Sequence, residues 1–140
     1  MELGNFSVSL PVKDIHASLK FYETLGFEQV SGDISQNWIV LSNGAARIGL
    51  FQGMFEEFMM TFNPKWDNMG QATDGTDVRE IAAKLEAAGY DFITPLTADN
   101  DEGPGYFMVK DLDGNTYCYS INTYKENEYG EILSKLRDAS

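Results

Sequence analysis

Few residues in this chain are of types that carry out chemistry. The chain has one histidine, His16, and one cysteine, Cys118. A catalytic cysteine needs a nearby cation or helix N-terminus to stabilise its thiolate, but Cys118 stands between two tyrosines and far along the chain from His16. We therefore expect Cys118 to be a small core or cavity-lining residue. We expect His16 to lie in the first turn of a helix and to face solvent.

Carboxylates are the next candidates, as ligands for a metal ion. Glu56 and Glu57 stand together in the middle of the chain, and the run from Asp99 to Glu102 is rich in acids. The run lacks the glycine and the spacing of an EF-hand calcium loop. The glycines of Gly103-Pro104-Gly105 lack the lysine and the helix start of a phosphate-binding loop. These patterns favour solvated loops over a metal or nucleotide site.

Composition excludes several classes of partner. The 140 residues carry 22 acids against 10 bases, a net charge of −12, which would repel nucleic-acid phosphates and anionic lipid. No apolar stretch approaches the roughly 20 residues of a membrane span, and the start of the chain lacks a signal-peptide pattern. A single cysteine permits no intrachain disulfide, as is typical of a reducing compartment. We therefore expect a cytoplasmic protein that binds neither nucleic acid nor membrane.

The elements that must position these residues occur twice. Asp14 and Asp77 are good N-cap residues, Gly26 and Gly89 are good helix-stop residues, and both pairs are 63 apart (77 − 14 and 89 − 26). Apolar periodicity predicts two helices, 15–25 and 78–88, each preceded by one strand and followed by three. The predicted strands are 6–12, 27–30, 38–41 and 47–51 in the first copy, and 58–63, 90–93, 106–110 and 116–121 in the second.

The repeat predicts an α+β fold. Two βαβββ modules, 5–54 and 57–122, would form one domain over 1–140, with a curved mixed sheet making a cup and the helices on its convex side. Asn43-Gly44 and Asp113-Gly114 predict a hairpin in each module. An unrelated α+β sandwich is the alternative. Two segments fall outside the repeat: the loop Pro64 to Gly75, which contains Trp66, and 126–139, predicted as an amphipathic C-terminal helix.

Two runs of sequence resemble one superfamily, that of the glyoxalase, bleomycin-resistance and extradiol-dioxygenase proteins, also called vicinal oxygen chelate (VOC). The run Leu10 to Asp14, followed by Phe21-Tyr22 and Leu25-Gly26-Phe27, resembles its opening strand and helix. Phe107 to Asn115 resembles its late hairpin, although Leu112 stands where proline is usual. The resemblance covers about residues 5 to 122. It implies the cup fold, and a fold of this kind hosts many activities.

The resemblance also implies where metal ligands would stand. Metal-dependent relatives place four His or Glu side chains around the cup, where the ion polarises a substrate oxygen. Here those positions fall on Ser7, Gly49, Cys118 and a residue near Phe58 or Met60. None of these is a credible ligand for a hard or borderline divalent ion. We therefore expect no metal and no cofactor.

Without a metal site, the sequence still predicts a cup lined by side chains of the sheet. Strand alternation predicts that Ile48, Leu50, Tyr117 and Tyr119 face the helices, and that their neighbours face the cup. Small residues at the lost ligand positions would open volume for a guest, although a filled core is the alternative. The predicted ligand-binding residues are Ser7, Ser9, Trp38, Gly49, Phe51, Met60, Phe62, Trp66, Cys118 and Ser120.

Three functions follow as hypotheses. The first is metal-free binding of an aromatic or amphipathic small molecule, in the manner of bleomycin-resistance proteins. The second is a metal-dependent lyase or dioxygenase whose ligands are displaced to Glu56, Glu57, His16 or an acidic loop. The third is a non-catalytic interaction subunit with a filled cup. The resemblance also implies a homodimer.

Overall fold

The computed structural model describes residues 1–67 and 71–121. The predicted C-terminal helix, 126–139, lies outside the described residues. The described chain forms two compact units: a first unit of residues 7–58, and a second unit of residues 1–6 with 59–121. In neither described range is there a helix long and apolar enough to cross a membrane.

The first unit is a four-stranded mixed sheet with one helix. The chain runs through β1 (Asn5–Val12), α1 (Ile15–Thr24), β2 (Glu28–Asp33), a 3₁₀ turn (Ile34–Gln36), β3 (Trp38–Asn43) and β4 (Ala46–Gln52). The first two residues of β1, Asn5 and Phe6, belong to the second unit. The strand order is β2-β3-β4-β1. Strand β1 pairs parallel to β4, and the other pairs are antiparallel.

The second unit repeats this plan. It contains β5 (Met59–Asn63), α2 (Val78–Ala87), β6 (Phe92–Ala98), β7 (Gly105–Lys110) and β8 (Thr116–Ile121). The strand order is β5-β8-β7-β6, with β5 parallel to β8. The predicted α+β class and the strand–helix–three-strand order of each module are confirmed.

The caps explain why the two helices are equal in length. The Asp14 carboxylate accepts hydrogen bonds from the first-turn backbone of α1, and the Asp77 carboxylate does the same for α2. Gly26 and Gly89 follow the helices with φ of +96° and +89°, a conformation that glycine adopts without strain. The 63-residue repeat is therefore a repeat of structure, and each helix has 10 residues.

Both predicted hairpins are present, with turns that differ from each other. Strands β3 and β4 meet through the two residues Gly44 and Ala45, with Asn43 paired to Ala46 and Gly44 at φ +59°. Strands β7 and β8 meet through a five-residue loop, 111–115, that the Asp111 carboxylate closes by accepting two backbone N–H bonds of 2.9 Å. These turns set the register of each hairpin, and the register decides which side chains share a face.

The strand after each helix starts later than the sequence predicted. In the second unit the prediction was 90–93, whereas β6 is Phe92–Ala98. The Tyr90 N–H still donates to Leu85 O at 3.1 Å, as part of the helix C-terminal turn. Residues just beyond the glycine therefore complete the helix before the strand begins.

Each helix covers one face of its own sheet. Around α1 the buried side chains are Ile15, Ile39, Leu41 and Leu50, with Leu10 and Ile48 packed against them. Around α2 they are Val78, Ile81, Ala82, Phe107, Val109 and Ile121, with Tyr117 and Tyr119 packed against them. The predicted placement of Ile48, Leu50, Tyr117 and Tyr119 on the helix side is confirmed. Their strand neighbours consequently project from the opposite face.

At the start of α2, ion pairs and hydrogen bonds also connect the helix to neighbouring loops. The Arg79 guanidinium donates to the Asp77 carboxylate at 3.1 Å and to the backbone oxygens of Asn100 and Gly103 at 2.7 and 3.2 Å. Lys65 Nζ lies 3.4 Å from the other Asp77 oxygen. One arginine thus joins the loop between β6 and β7 to the helix.

Asp77 should make stability depend on acid pH. Burial raises the pKa of Asp77, but hydrogen bonds from Arg79, its positive charge and Lys65 together hold that pKa below the ordinary value of 3.8. A lowered carboxyl pKa adds stability that is complete above the ordinary pKa and is lost as pH falls through the folded one. Asp77→Asn keeps a capping oxygen without the charge. We expect it to cost up to about 1 kcal/mol at pH 7.

The check is urea unfolding of both proteins at a series of pH values. The difference in unfolding free energy between wild type and Asp77→Asn should shrink as pH falls below the ordinary carboxyl pKa of 3.8, because the native carboxyl then also becomes neutral. A difference that does not shrink as the solution is acidified would show that the charge contributes no stability.

Candidate functional site

In the first unit, the sheet face opposite α1 carries a buried aromatic cluster. Trp38 and Phe51 are each 1% exposed, and their rings are parallel within 4° at a centroid distance of 6.3 Å. Met54 is buried beside them, and the Phe55 ring lies 5.3 Å from that of Phe51. Trp38 and Phe51 are paired neighbours on β3 and β4, so they share the face that the sequence predicted for them.

The space beside Gly49 is filled, which corrects the expectation that this glycine opens volume. A Cβ placed on Gly49 would lie 2.6 Å from Phe51 Cε2 and 3.1 Å from Cζ. The phenylalanine ring folds back over its second neighbour on β4, because both side-chain positions lie on one face. The alternation of side chains along β4 predicted which face Gly49 and Phe51 share. It could not predict that the Phe51 ring occupies the space beside Gly49.

Ser7 and Ser9 lie on the same face of the first unit. Ser9 pairs with Gly49 in the parallel register of β1 and β4, while Leu10 pairs with Leu50 on the helix side. Both serines are buried, at 8% and 3% exposure. The predicted positions Ser7, Ser9, Trp38, Gly49 and Phe51 are thus brought to one face of one sheet.

In the second unit, the face opposite α2 is more polar. Antiparallel pairing of β7 and β8 places Tyr106 opposite Ser120 and Met108 opposite Cys118, and parallel pairing places Thr61 beside Cys118. Thr61, Cys118 and Ser120 are 2%, 4% and 1% exposed. The predicted orientation of Cys118 and Ser120, away from the helix, is confirmed.

Met60 and Phe62 are on the wrong face for the site predicted for them. They pair with Tyr117 and Tyr119, and the Phe62 ring stacks on the Tyr119 ring at 5.5 Å. Both tyrosines pack against the α2 core. The prediction misjudged the phase of β5 by one residue, and a one-residue error moves every side chain to the other face.

Sequence reasoning missed four residues of the second-unit face. Thr61 was missed because of the phase error in β5. Tyr106 and Met108 could have been found by counting back from the Asp113-Gly114 turn, because that hairpin sets their partners on β8. Asn5 stands two residues before Ser7 in the alternation of β1 and is 6% exposed.

Trp66 is held in the loop after β5. Its backbone oxygen accepts the Asn5 N–H at 2.8 Å, and its own N–H donates to Asn63 O at 3.2 Å. Trp66 also forms a bridge with Ala72. The side chain is half-buried. The loop therefore has a defined course at Trp66, next to the first residue of β1.

Three buried polar atoms of the second unit have no hydrogen-bond partner among the described residues. They are Asn5 Oδ1, Trp66 Nε1 and Ser120 Oγ. An unpaired buried polar atom costs about 1–3 kcal/mol, and folded proteins contain few of them.

Cys118 is a poor nucleophile in the folded protein. Burial raises the pKa of its thiol to about 12, so the thiol is neutral at physiological pH. Burial also raises the pKa of Tyr106, the neighbour that pairs with Ser120. This side of the sheet therefore presents neutral hydroxyl and thiol groups.

We expect Cys118 to resist thiol reagents in the native protein. Reaction requires the thiolate and access to it, and Cys118 has neither while it is buried. Labelling by a chromogenic disulfide at pH 8 should be at least about a hundredfold slower in buffer than in denaturing urea. Labelling in buffer as fast as in urea would show that the strand opens readily.

The four positions implied for metal ligands do not fit a metal ion. Ser7 is a neutral hydroxyl, Cys118 a neutral thiol, Met60 lies on the helix side, and the space at Gly49 is filled by an aromatic ring. Within residues 1–67 and 71–121, no three His, Cys, Asp or Glu side chains are grouped as a metal site would require. The displaced candidates His16, Glu56 and Glu57 are exposed. This donor set does not suit the divalent ions that carboxylate and imidazole sites hold.

Comparison with solved structures shows the same fold in several bacterial proteins. A glyoxalase/bleomycin resistance protein/dioxygenase superfamily member from Vibrio splendidus 12B01 is 15% identical, with a TM-score of 0.63 over 84% of this chain and 97% of its own. Methylmalonyl-CoA epimerase from Mycobacterium tuberculosis is 13% identical, with a TM-score of 0.60 over 89% and 92%. A hypothetical protein from Bacillus halodurans C-125 is 16% identical, with a TM-score of 0.60 over 85% and 94%.

Sequence comparison gives the family but no characterised relative. No curated protein matches this chain significantly. The sequence model of the Glyoxalase/Bleomycin resistance protein/Dioxygenase superfamily matches residues 6–119, the range that holds both units and both hairpins. The chain belongs to the Glyoxalase/Bleomycin resistance protein/Dioxygenase superfamily.

Proposed function

We propose that this protein binds an aromatic or amphipathic small molecule without a metal ion, in the manner of the bleomycin-resistance branch of its superfamily. The observation that carries the proposal is the polar, buried face of the second unit. Thr61, Tyr106 and Ser120 place hydroxyl groups where a self-sufficient core would place aliphatic side chains. Small-molecule sites typically have a few polar groups set among apolar walls.

The same face supports an aromatic guest. Met108 lies on this face opposite Cys118 and contacts Thr94, whose Oγ1 is 3.8 Å from the methionine sulfur. Thioethers make favourable contacts with aromatic rings and adapt to irregular shapes. The net charge of −12 favours neutral or cationic guests over anions. Trp66, in the adjoining loop, is a further candidate contact.

The metal-free part of the proposal is supported by the chemistry of the four ligand positions. A relative that uses a metal needs hard donors at several of them, whereas here one is a glycine covered by Phe51 and another is a neutral buried thiol. A site of this kind can still bind a ligand by burying its apolar surface and by hydrogen bonding to its polar groups.

The test combines a ligand screen with metal control. A panel of neutral aromatics and aromatic amines is screened by tryptophan fluorescence and thermal shift, on protein treated with chelator and on protein given Zn²⁺, Ni²⁺ or Mn²⁺. We expect the same hits at the same affinity in both preparations. Binding only after metal is added would overturn the metal-free proposal, and no hit in either preparation would overturn small-molecule binding.

Variants then locate the site. Met108→Ala should weaken the hits about fivefold to tenfold, as loss of a buried contact of about 1 kcal/mol does. Leu112→Ala is the matched control, because Leu112 is an 87% exposed residue of the hairpin loop next to β7. Equal affinity for Met108→Ala and the control would place the site elsewhere.

A non-catalytic interaction subunit is the second candidate. The observation in its favour is the filled face of the first unit, where Trp38, Phe51 and Met54 form a closed apolar cluster. A chain with that role would give no hits in the screen above. We also propose a homodimer and a cytoplasmic location, which sedimentation equilibrium and cell fractionation would test.

A further inference from the structure

Two of the three unpaired buried atoms project from the same face of the second unit. The Phe6 ring lies 5.0 Å from that of Phe62, which stacks on Tyr119, so these three rings share the helix side. Asn5 and Ser120 are the immediate neighbours of Phe6 and Tyr119 along their strands. Because successive strand residues point to opposite faces, Asn5 and Ser120 project from the face that carries Cys118 and Tyr106.

Direct hydrogen bonds bring the three residues together. Asn5 N–H donates to Trp66 O at 2.8 Å, and Trp66 N–H donates to Asn63 O at 3.2 Å. The Asn63 side chain in turn donates through Nδ2 to Ser120 O at 3.3 Å. These hydrogen bonds join the three residues that carry the unpaired atoms, through Asn63, within one unit.

These atoms differ in what they can pair with. Asn5 Oδ1 only accepts, the Trp66 indole N–H only donates, and the Ser120 hydroxyl can do either. A ligand that pairs with the first two must offer an N–H donor and an oxygen acceptor. A carboxylate offers no donor to Asn5, and an ammonium group offers no acceptor to Trp66. A carboxamide or lactam offers both in one planar group.

We propose that Asn5, Trp66 and Ser120 form a recognition site for the neutral amide group of an aromatic ligand. This inference rests on the proposed function, because it names the ligand chemistry of that same face. Among the described residues of the free protein the three buried atoms have no hydrogen-bond partner, and the bound amide pairs with them. Hydrogen bonds in such a setting discriminate strongly against analogues that lack the matching group.

The first experiment compares four small probes of one shape by calorimetry on chelator-treated protein. They are benzamide, acetophenone, benzoate and benzylamine. We expect benzamide to bind about tenfold more tightly than acetophenone, which lacks the N–H, and than either charged probe. Equal binding of benzamide and acetophenone would overturn the amide inference and leave aromatic binding intact. No binding of any probe would overturn the proposed function as well.

The second experiment removes the polar atoms. Asn5→Leu removes the acceptor for the amide N–H, so it should lower benzamide affinity about tenfold and abolish the preference for benzamide over acetophenone. Ser120→Ala should weaken benzamide binding as well. Ser42→Ala, on β3 of the first unit, is the control and should keep the preference. The Tm of free Asn5→Leu and Ser120→Ala should not fall, since each loses an unpaired polar atom. A fall in Tm would show that these atoms are paired in the free protein, and it would overturn the inference.

Discussion

Trp38→Ala should destabilise the protein by about 3–5 kcal/mol, the range for truncating a fully buried large aromatic residue. Trp38 is 1% exposed and stacks on Phe51, which is equally buried. The cluster around them fills its face of the first unit, and a cavity of that size would not be recovered by small movements. Urea unfolding with fluorescence from Trp66 measures the change.

The result separates two interpretations of Trp38, as a wall of an open pocket or as core. A pocket wall faces water in the free protein, so truncation costs little stability. Phe58→Ala is the matched control, because Phe58 belongs to the same unit and is 55% exposed. We expect this control within about 0.5 kcal/mol of wild type. A cost below about 1 kcal/mol for Trp38→Ala would contradict a core role.

Gly49→Ala should destabilise the protein by about 1–3 kcal/mol, the usual cost of adding a methyl group to a packed core. The new Cβ would stand 2.6 Å from Phe51 Cε2, closer than two carbon atoms can approach. The Phe51 ring cannot move aside freely, because it is buried between Trp38 and Phe55. Urea unfolding gives the change in free energy.

A double-mutant cycle tests the reason as well as the cost. In a Phe51→Leu background the side chain at 51 is shorter, so the added methyl group has room, and the penalty of Gly49→Ala should fall by more than about 1 kcal/mol. An unchanged penalty would mean that the backbone at Gly49, and not the ring of Phe51, resists the substitution.

The same geometry bears on whether position 49 could hold a metal ligand. A histidine or glutamate at position 49 would need the space that the Phe51 ring occupies. Placing a ligand at position 49 would therefore require at least two changes, at 49 and at 51. Substitution of Gly49 alone would damage the packing without creating a donor in a usable position.

The local pattern of the sequence was enough to determine the fold. The Asp caps, the glycine stops and the hairpin turns act on residues close to them in the chain, so their effect can be read without knowing the tertiary structure. The 63-residue repeat of those signals, with the two motif runs, also pointed to the superfamily. The faces of β4 and β8 followed from simple alternation. The chemistry of Ser7, Gly49 and Cys118 already argued against a metal.

Only the tertiary structure decided the face of β5 and the use of the space at Gly49. The side chains of β5 are assigned by parallel pairing with β8, more than 50 residues away, and no local turn sets that register. Whether the space beside Gly49 is filled depends on the rotamer of Phe51, and the side chains packed against Phe51 decide that rotamer. The same holds for the side-chain atoms of Asn5, Trp66 and Ser120 that have no partner among the described residues. Whether a buried polar atom is hydrogen-bonded depends on contacts between residues far apart in the chain, and the spacing of residues does not show those contacts.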